Sequence, residues 1–269
     1  MNLHVYDKKG RGPIMKSRAL AFAGIATIAS LCLTCPAHGQ DYVGVSFSGG
    51  GSTTWIGPNP DGPGSLDVYA GIYNGTVTGI PGANPGIICD DYQDNVTAGQ
   101  TWTATALDAA SLTASNIGQT LFGSSIGLQG YAEVATLVSY MFGGNSGYTQ
   151  AELSSAIWYI TSVGNAALSS NLWSSLDASA KALVTALQGQ FGGLTNAQAQ
   201  AALQKFGNLW ILTPSPEGPG EPQEMWVSAA EGGAAALYLL LAAFTCCSAL
   251  FLRRREQANH FRPIEVTWQ

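Results

Sequence analysis

Apolar residues recur at two periods along this chain, and the change of period divides it. From Tyr42 to about Tyr92 the runs YVGVSFSG, SLDVYAGIYNG, TVTGI and GIICDDY alternate with Gly/Pro/Asn punctuation. These runs predict short strands, with PNPDGPG and PGANPG as connecting loops. From Thr101 onward the texture shifts to Ala, Leu, Ser and Gln, and apolar residues fall three and four apart. That spacing predicts helices over TWTATALDAASL, YAEVATLVSYMF and TQAELSSAIWYITS. In the last of these Leu153, Ile157 and Ile160 share one face, and Thr149 with Glu152 forms a capping-box start. SSLDASAKALVTALQGQF and TNAQAQAALQKF add two helices, with Gly192 and Gly193 between them as a cap. GNLWILTP closes as a strand stopped by Pro214. The fold class expected is α+β: a β-rich first part, sandwich or barrel-like, then a small helical part and one closing strand.

Both ends carry longer apolar runs with different flanks. Lys16 and Arg18 precede ALAFAGIATIASLCL, the length of a signal-peptide core and short for a membrane span. Ala37 and Gly39 supply small residues for cleavage, so residues 1–39 read as a signal peptide and the exported chain starts near Gln40. Met15 offers an alternative start within an extended charged n-region. Cys32 and Cys35 lack the triplet that a lipoprotein signal places before its cysteine. Near the other end, Gly232–Leu252 runs 21 residues without a charge and meets Arg253, Arg254 and Arg255 at once. At ~1.5 Å rise per residue such a helix crosses a bilayer core of ~30 Å. The arginines place residues 253–269 in the cytoplasm, so the span at 232–252 runs from outside to inside. Residues 214–231, PSPEGPGEPQEMWVSAAE, read as an extended Pro/Gly/Glu spacer after an exported domain at 40–213.

Charge sharpens this layout. Between Gln40 and Glu231 fourteen acids face two bases, Lys181 and Lys205, a net charge of −12. Nucleic-acid binding draws on Lys and Arg to neutralise phosphates, so it is excluded as a function class.

Candidate chemistry is sparse. All three histidines, His4, His38 and His260, lie outside the domain, which removes Ser-His-Asp and Cys-His machinery and histidine-ligated zinc. No glycine-rich phosphate loop or HExxH appears, and no cofactor is implied. Asp90, Asp91, Asp94 and Glu152 are the carboxylates that could run glycoside hydrolysis. Adjacent Asp90 and Asp91 point to opposite faces of a strand, so they would not flank one substrate. A calcium site from Asp90, Asp94 and backbone carbonyls lacks EF-hand spacing. A solvated turn accounts for these acids. Cys89 is the single thiol of the exported domain and has no partner there for a disulfide. It reads as a small buried hydrophobe. Trp55, Trp102, Trp158, Trp173 and Trp210 read mostly as core residues.

Two resemblances add to these readings. Glu231, Gly232 and Gly233, one span and the Arg253–Arg255 cluster resemble the tripartite sorting tails of PEP-CTERM bacterial surface proteins. SAAEGG stands where that pattern has Pro-Glu-Pro. The resemblance implies an exosortase-like membrane sorting enzyme as partner. The order Tyr/Gly-rich strands, Cys-Asp-Asp, Gly-Gln-Thr-Trp, then Ala-Ile-Trp, over about residues 65–215, is similar to a domain recurring in such proteins. More distantly it resembles the thioester domains of Gram-positive adhesins, in which a cysteine is joined to a glutamine four residues before that tryptophan. Cys89 and Trp158 match; Ser154 occupies the glutamine position and has no carboxamide to become an acyl donor. Gln150 lies one turn further back.

The function expected is that of an exported, membrane-tethered or tail-sorted surface protein of a two-membrane bacterium, with a non-catalytic role in the envelope or extracellular matrix. Expected partners are the sorting enzyme, the membrane, and exopolysaccharide or other envelope components. The alternatives are an adhesin bonding covalently through a Cys89 thioester, and a carbohydrate-active enzyme using Asp90 or Asp94 with Glu152.

Overall fold

The structure, a computed structural model, describes residues 41–144, 146–215, 222–229 and 244–249. The signal-peptide reading of 1–39, the motif Glu231, Gly232 and Gly233, and the arginines Arg253, Arg254 and Arg255 lie outside these residues. Of the expected span at 232–252 only 244–249 are described, and they are helical. Among the described residues no helix is long and apolar enough to cross a membrane.

The strand-rich part supplies β1 (Asp41–Pro58), β2 (Ser65–Thr78), β3 (Ile88–Cys89) and β4 (Thr101–Asp108). Five helices follow: α1 (Gly123–Gly143), α2 (Gln150–Thr161), α3 (Ala166–Ser175), α4 (Ala178–Phe191) and α5 (Asn196–Leu203). Then come β5 (Leu209–Pro214) and β6 (Met225–Ser228). The α+β class therefore holds, as one six-stranded antiparallel sheet in the order β2-β1-β4-β5-β6-β3 with helices packed against it.

The two ends of that order meet. Tyr73 of β2 bridges Ile87 just before β3, with reciprocal N–H to O distances of 2.8 and 3.1 Å. The sheet thus curls back on itself at this bridge, with Gly86 N donating to Gly75 O at 3.0 Å beside it. Period-two alternation then builds two cores. Val43, Val45, Phe47, Cys89, Met225 and Val227 pack together with one set of neighbours. Ile88, Leu107, Ile211 and Trp226, one position out of phase with these, pack instead with α1 to α5. Central strands buried on both faces lose the polar alternation of a half-exposed strand, and all four residues of β6 are buried.

Two expectations are corrected here. Thr101–Asp108 forms β4 and not a helix, pairing with β1 on one side and β5 on the other. Trp102, Ala104 and Ala106 satisfy a period of two as well as they satisfy helical spacing, and the sheet decides between them. Residues 225–228, read as spacer, form β6, inserted between β5 and β3, so the chain closes with two strands rather than one. Helices α2, α4 and α5 fall where the spacing puts them, whereas α1 starts at Gly123 and not near Tyr131, across a break at Gly127 (φ +63°), and α3 had no counterpart in the sequence reading. Its Leu168 and Leu172 are buried, and Asn165 caps it by accepting from Leu168 N at 3.2 Å.

Trp226 is fully buried between the sheet and α1, 6.0 Å from the Tyr131 ring centroid. Replacing it by Ala removes the largest side chain β6 contributes. The variant is expected to lose ~3–5 kcal/mol in urea unfolding. Ile56→Ala, at a position 67 % exposed, is expected to change stability by less than ~0.5 kcal/mol.

Candidate functional site

The Cys-Asp-Asp segment runs from β3 into the loop that follows, and it is gripped from two sides. On one side stands α2. Its capping box is formed as the sequence predicts: Glu152 N donates to Thr149 Oγ1 at 3.2 Å, and Thr149 N to Glu152 Oε2 at 2.6 Å. One turn of the helix then places Trp158 and Thr161 over the segment. Trp158 Nε1 donates to the Cys89 carbonyl at 3.2 Å, and Thr161 Oγ1 to the Asp90 carbonyl at 2.6 Å. The Trp158 ring also packs on Tyr92 and Trp55, with centroids 5.2 and 5.8 Å apart.

The first turns of the same helix grip β2. Gly71 N donates to Ser154 Oγ at 2.8 Å, and Ile72 N to Gln150 Oε1 at 3.0 Å. Gly71 has φ +91°, and a Cβ there would collide with Gln150 Oε1. Ser154, at the position where the thioester resemblance expects glutamine, is thus an acceptor for a strand N–H. Gln150 is likewise engaged, by Ile72 N and by the Ser52 hydroxyl.

On the other side lie residues 223–226, part of the segment read as spacer. Gln223 Nε2 donates to the Asp91 carbonyl at 2.8 Å and also to the Asp94 carbonyl. Trp226 Nε1 donates to Asp90 Oδ2 at 2.6 Å. Glu224, fully buried, collects donors from three elements. Its Oε2 accepts from Leu121 N at 2.7 Å and Thr213 Oγ1 at 2.5 Å; its Oε1 accepts from Tyr131 Oη at 2.7 Å.

Asp90 and Glu224 face each other with no base between them. Burial, then the Glu224 charge, pushes the Asp90 carboxyl well above the usual carboxylate range. Burial raises Glu224 too, while its donors pull it back. The donor count locates the proton. Glu224 already receives three N–H or O–H groups, whereas Asp90 Oδ1 receives none from the described residues. Their contact raises Asp90 and lowers Glu224, so Asp90 is the member that keeps the proton and the pair carries a single negative charge. A buried charge survives only when fully hydrogen-bonded, and this one is.

These positions overturn the solvated-turn reading. Asp90 is wholly buried and Asp91 is 2 % exposed. The two adjacent side chains do part, Asp90 toward Glu224 and Trp226, Asp91 toward its own loop. There Asp91 Oδ1 accepts from Gln93 N at 2.8 Å and Asp94 N at 3.4 Å. Burial foremost, with the nearby Asp94, pushes Asp91 up to about 7, against those two N–H groups. Asp90 is thus paired with Glu224 and not with Glu152, whose carboxylate serves the α2 cap. Among the described residues no cluster of His, Cys, Asp and Glu is arranged to hold a metal ion.

Cys89 is 1 % exposed, and its Sγ donates to the Asp91 carbonyl at 2.9 Å. Burial, then the neighbouring Asp91, raises its pKa well above that of a free thiol. A thiol so held is protonated and poorly nucleophilic. Glu224 and Trp226 are the site residues that sequence reasoning missed. The signal was there, as the apolar run MWV after a Gln-Glu pair, but the Pro/Gly punctuation before it dominated the reading.

No protein-family model, no curated protein and no solved structure matches this chain.

Raised carboxyl pKa values set the sign of the pH dependence. Between about pH 4 and 7 the unfolded chain has released protons that folded Asp91, and Glu133 (also pushed up to about 7 by burial), still hold. Stability is therefore greatest at the acid end of that window and falls as pH rises through it. Glu152, lowered by its cap, works the other way only below its ordinary value. Thermal melts at pH 5 and pH 8 are expected to give the higher Tm at pH 5. Asp90→Asn, whose amide can donate to Glu224 and accept from Trp226, is expected to keep near-native stability at pH 8. Glu224→Ala strands Thr213, Tyr131 and Leu121 donors and is expected to cost ~3 kcal/mol or more.

Proposed function

We propose that this chain is an exported bacterial surface protein, membrane-tethered or tail-sorted, whose acidic α+β domain acts without catalysis in the envelope or extracellular matrix. The observation that carries the reading is the distribution of charge. Nine of the eleven lysines and arginines lie at the two ends, and the stretch between holds fourteen acids against Lys181 and Lys205. A chain so arranged exports its middle and retains its arginine-flanked end.

The state of the candidate groups supports the non-catalytic part. Glu152 is spent on a helix cap, Asp90 is sealed against Glu224, and Cys89 is a buried thiol donating to a carbonyl. Cys89 and Asp90 present no reactive atom to solvent. The curled sheet and its helical cover form a stable carrier of surface rather than a cleft with opposed acid and base.

Epitope tags fused just past Gln40 and between Ser215 and Pro222, outside the paired strands β5 and β6, test the topology. In spheroplasts of a two-membrane bacterium both tags are expected to be destroyed by added protease, while a tag after Arg255 in an uncleaved chain survives. Protection of both ectodomain tags would overturn the proposal. Intact mass after methylamine treatment tests the chemistry: no amine adduct is expected, whereas a Cys89 thioester gains one amine.

A further inference from the structure

The strand registers bring several chain segments together at one end of the curled sheet. β1 starts there, with Asp41 opposite Ala106, and β4 meets β5 there, with Asp108 opposite Trp210. β2 ends there, with Thr78 opposite Gly44, and β6 ends there, with Ser228 opposite Leu209. Beyond Ser228, Ala229 bridges Ala83 in the loop between β2 and β3, and Asn84 N donates to Ser228 O at 2.8 Å. Ala229 N donates to Asn208 O, also at 2.8 Å, in the turn that leads into β5. The chain is therefore held in the fold as far as Ala229, which is 7 % exposed.

Such a hold leaves almost no tether. The uncharged run read as a span starts at Gly232, three positions after Ala229. A chain reaches at most ~3.6 Å per residue, so Ala229 lies within ~11 Å of the start of that run. The headgroup layer on one side of a bilayer is itself about 5–8 Å thick. The Pro/Gly/Glu tract adds nothing to this reach, because it precedes β6 in the chain.

Charge separates the two ends of the sheet. The far end carries Asp61 in the β1–β2 turn, Asp67 near the start of β2, and Asp91 and Asp94 in the loop after β3. Lys205, one of the two bases of the exported stretch, stands at the Ala229 end instead, exposed three positions before Asn208. Asp41 and Asp108 belong to that end too, and Asp108 Oδ1 is engaged by Ala110 N at 2.9 Å. An anionic lipid surface attracts bases and repels acids, so the Ala229 end approaches it at the lower cost. The loop there is small and uncharged, with Pro81, Gly82, Asn84 and Pro85 exposed.

We propose that this short tether holds the Ala229 end of the domain on the outer surface of the membrane, with Pro81, Gly82, Asn84, Pro85 and Lys205 against lipid headgroups. The hairpin tip at Asp61 then points away. β2, 14 residues long, sets it roughly 40 Å off at ~3.3 Å per residue. The inference rests on the reading of residues 232–252 as a span, and goes beyond it by fixing which face of the domain meets lipid.

The test uses the chain purified after signal cleavage and reconstituted in phosphatidylethanolamine–phosphatidylglycerol vesicles that carry a nitroxide on a fraction of their headgroups. Asn84→Cys or Asp61→Cys is labelled with a maleimide fluorophore in a chain carrying Cys246→Ala and Cys247→Ala, Cys89 being buried. Flotation of the vesicles after an alkaline carbonate wash reads the anchor, and quenching by the headgroup nitroxide reads the orientation. The chain is expected to float, the Asn84 probe to be quenched roughly twofold or more, and the Asp61 probe to keep its intensity. A Gly-Ser insertion of about twelve residues after Ala230, long enough to add roughly 20 Å of reach, is expected to lift the quenching at Asn84. A chain that floats with neither probe quenched, with Asp61 quenched as strongly as Asn84, or with quenching that the insertion leaves unchanged overturns the proposal and leaves the anchor standing. A chain that the carbonate wash removes from the vesicles overturns both.

Discussion

The fold depends on a negative charge that has no positive partner. Glu224 is buried in a domain almost free of bases, and it is held by the Leu121 amide, two hydroxyls and a protonated aspartate. The groups that hold it come from separate parts of the chain: the turn before α1, α1 itself, β5 and the end of β3. Hydrogen bonds to a charged acceptor are among the stronger ones, and in a low-dielectric surrounding their loss is expensive. One carboxylate thereby ties the helical layer to the strands at the place where the sheet curls closed. The constraint is also specific. A packed apolar residue at this position would fill space, but it would not require Asp90, Thr213 and Tyr131 to converge on one point.

Around that point the rest of the site is geometry. The α2 helix works as a clamp with two jaws, Gln150 and Ser154 on β2 and Trp158 and Thr161 on the Cys-Asp-Asp segment. All four sit on the face that one helical period repeats. The segment is thereby fixed from both sides, with Gln223, Glu224 and Trp226 opposite. Cys89 ends up inside the curl of the sheet with Phe47 and Met225, and Asp90 ends up on the helical side. The next residue, Asp91, turns to its own loop, where it accepts from Gln93 N and Asp94 N. Three consecutive residues thus serve three environments, which explains why the sequence concentrates its unusual composition there.

Much of the helical part was legible in the sequence. The α2 capping box, its apolar face of Leu153, Ile157 and Ile160, and the ends of α4 and α5 follow from local rules that tertiary contacts do not override. The strands were legible where one face meets solvent, as in β1 and β2. They were not legible where both faces are buried. In β4, Ala104 and Ala106 are small enough to suit either period, and only pairing with β1 and β5 selects the strand. In β6, a run of four residues follows a Pro/Gly tract that argues for no structure at all, and its place in the sheet comes from partners far away in the chain. The acids failed for a related reason. Local sequence gives carboxylates to solvent, and nothing near Asp90 announces that Glu224, 134 positions later, will share its proton. Ser154 was the more readable case. Its lack of a carboxamide is evident from the residue alone, although its service to Gly71 is not.

The proton shared by Asp90 and Glu224 can be observed directly. Carbon-13 labelling of aspartate and glutamate carboxyls, followed by NMR through a pH titration, distinguishes a carboxylic acid from a carboxylate at each position. The account predicts that Asp90 keeps the signature of a protonated acid through pH 8, and that this signal disappears in Asp90→Asn. An Asp90 carboxyl that ionises with the exposed aspartates near pH ~4 would contradict it.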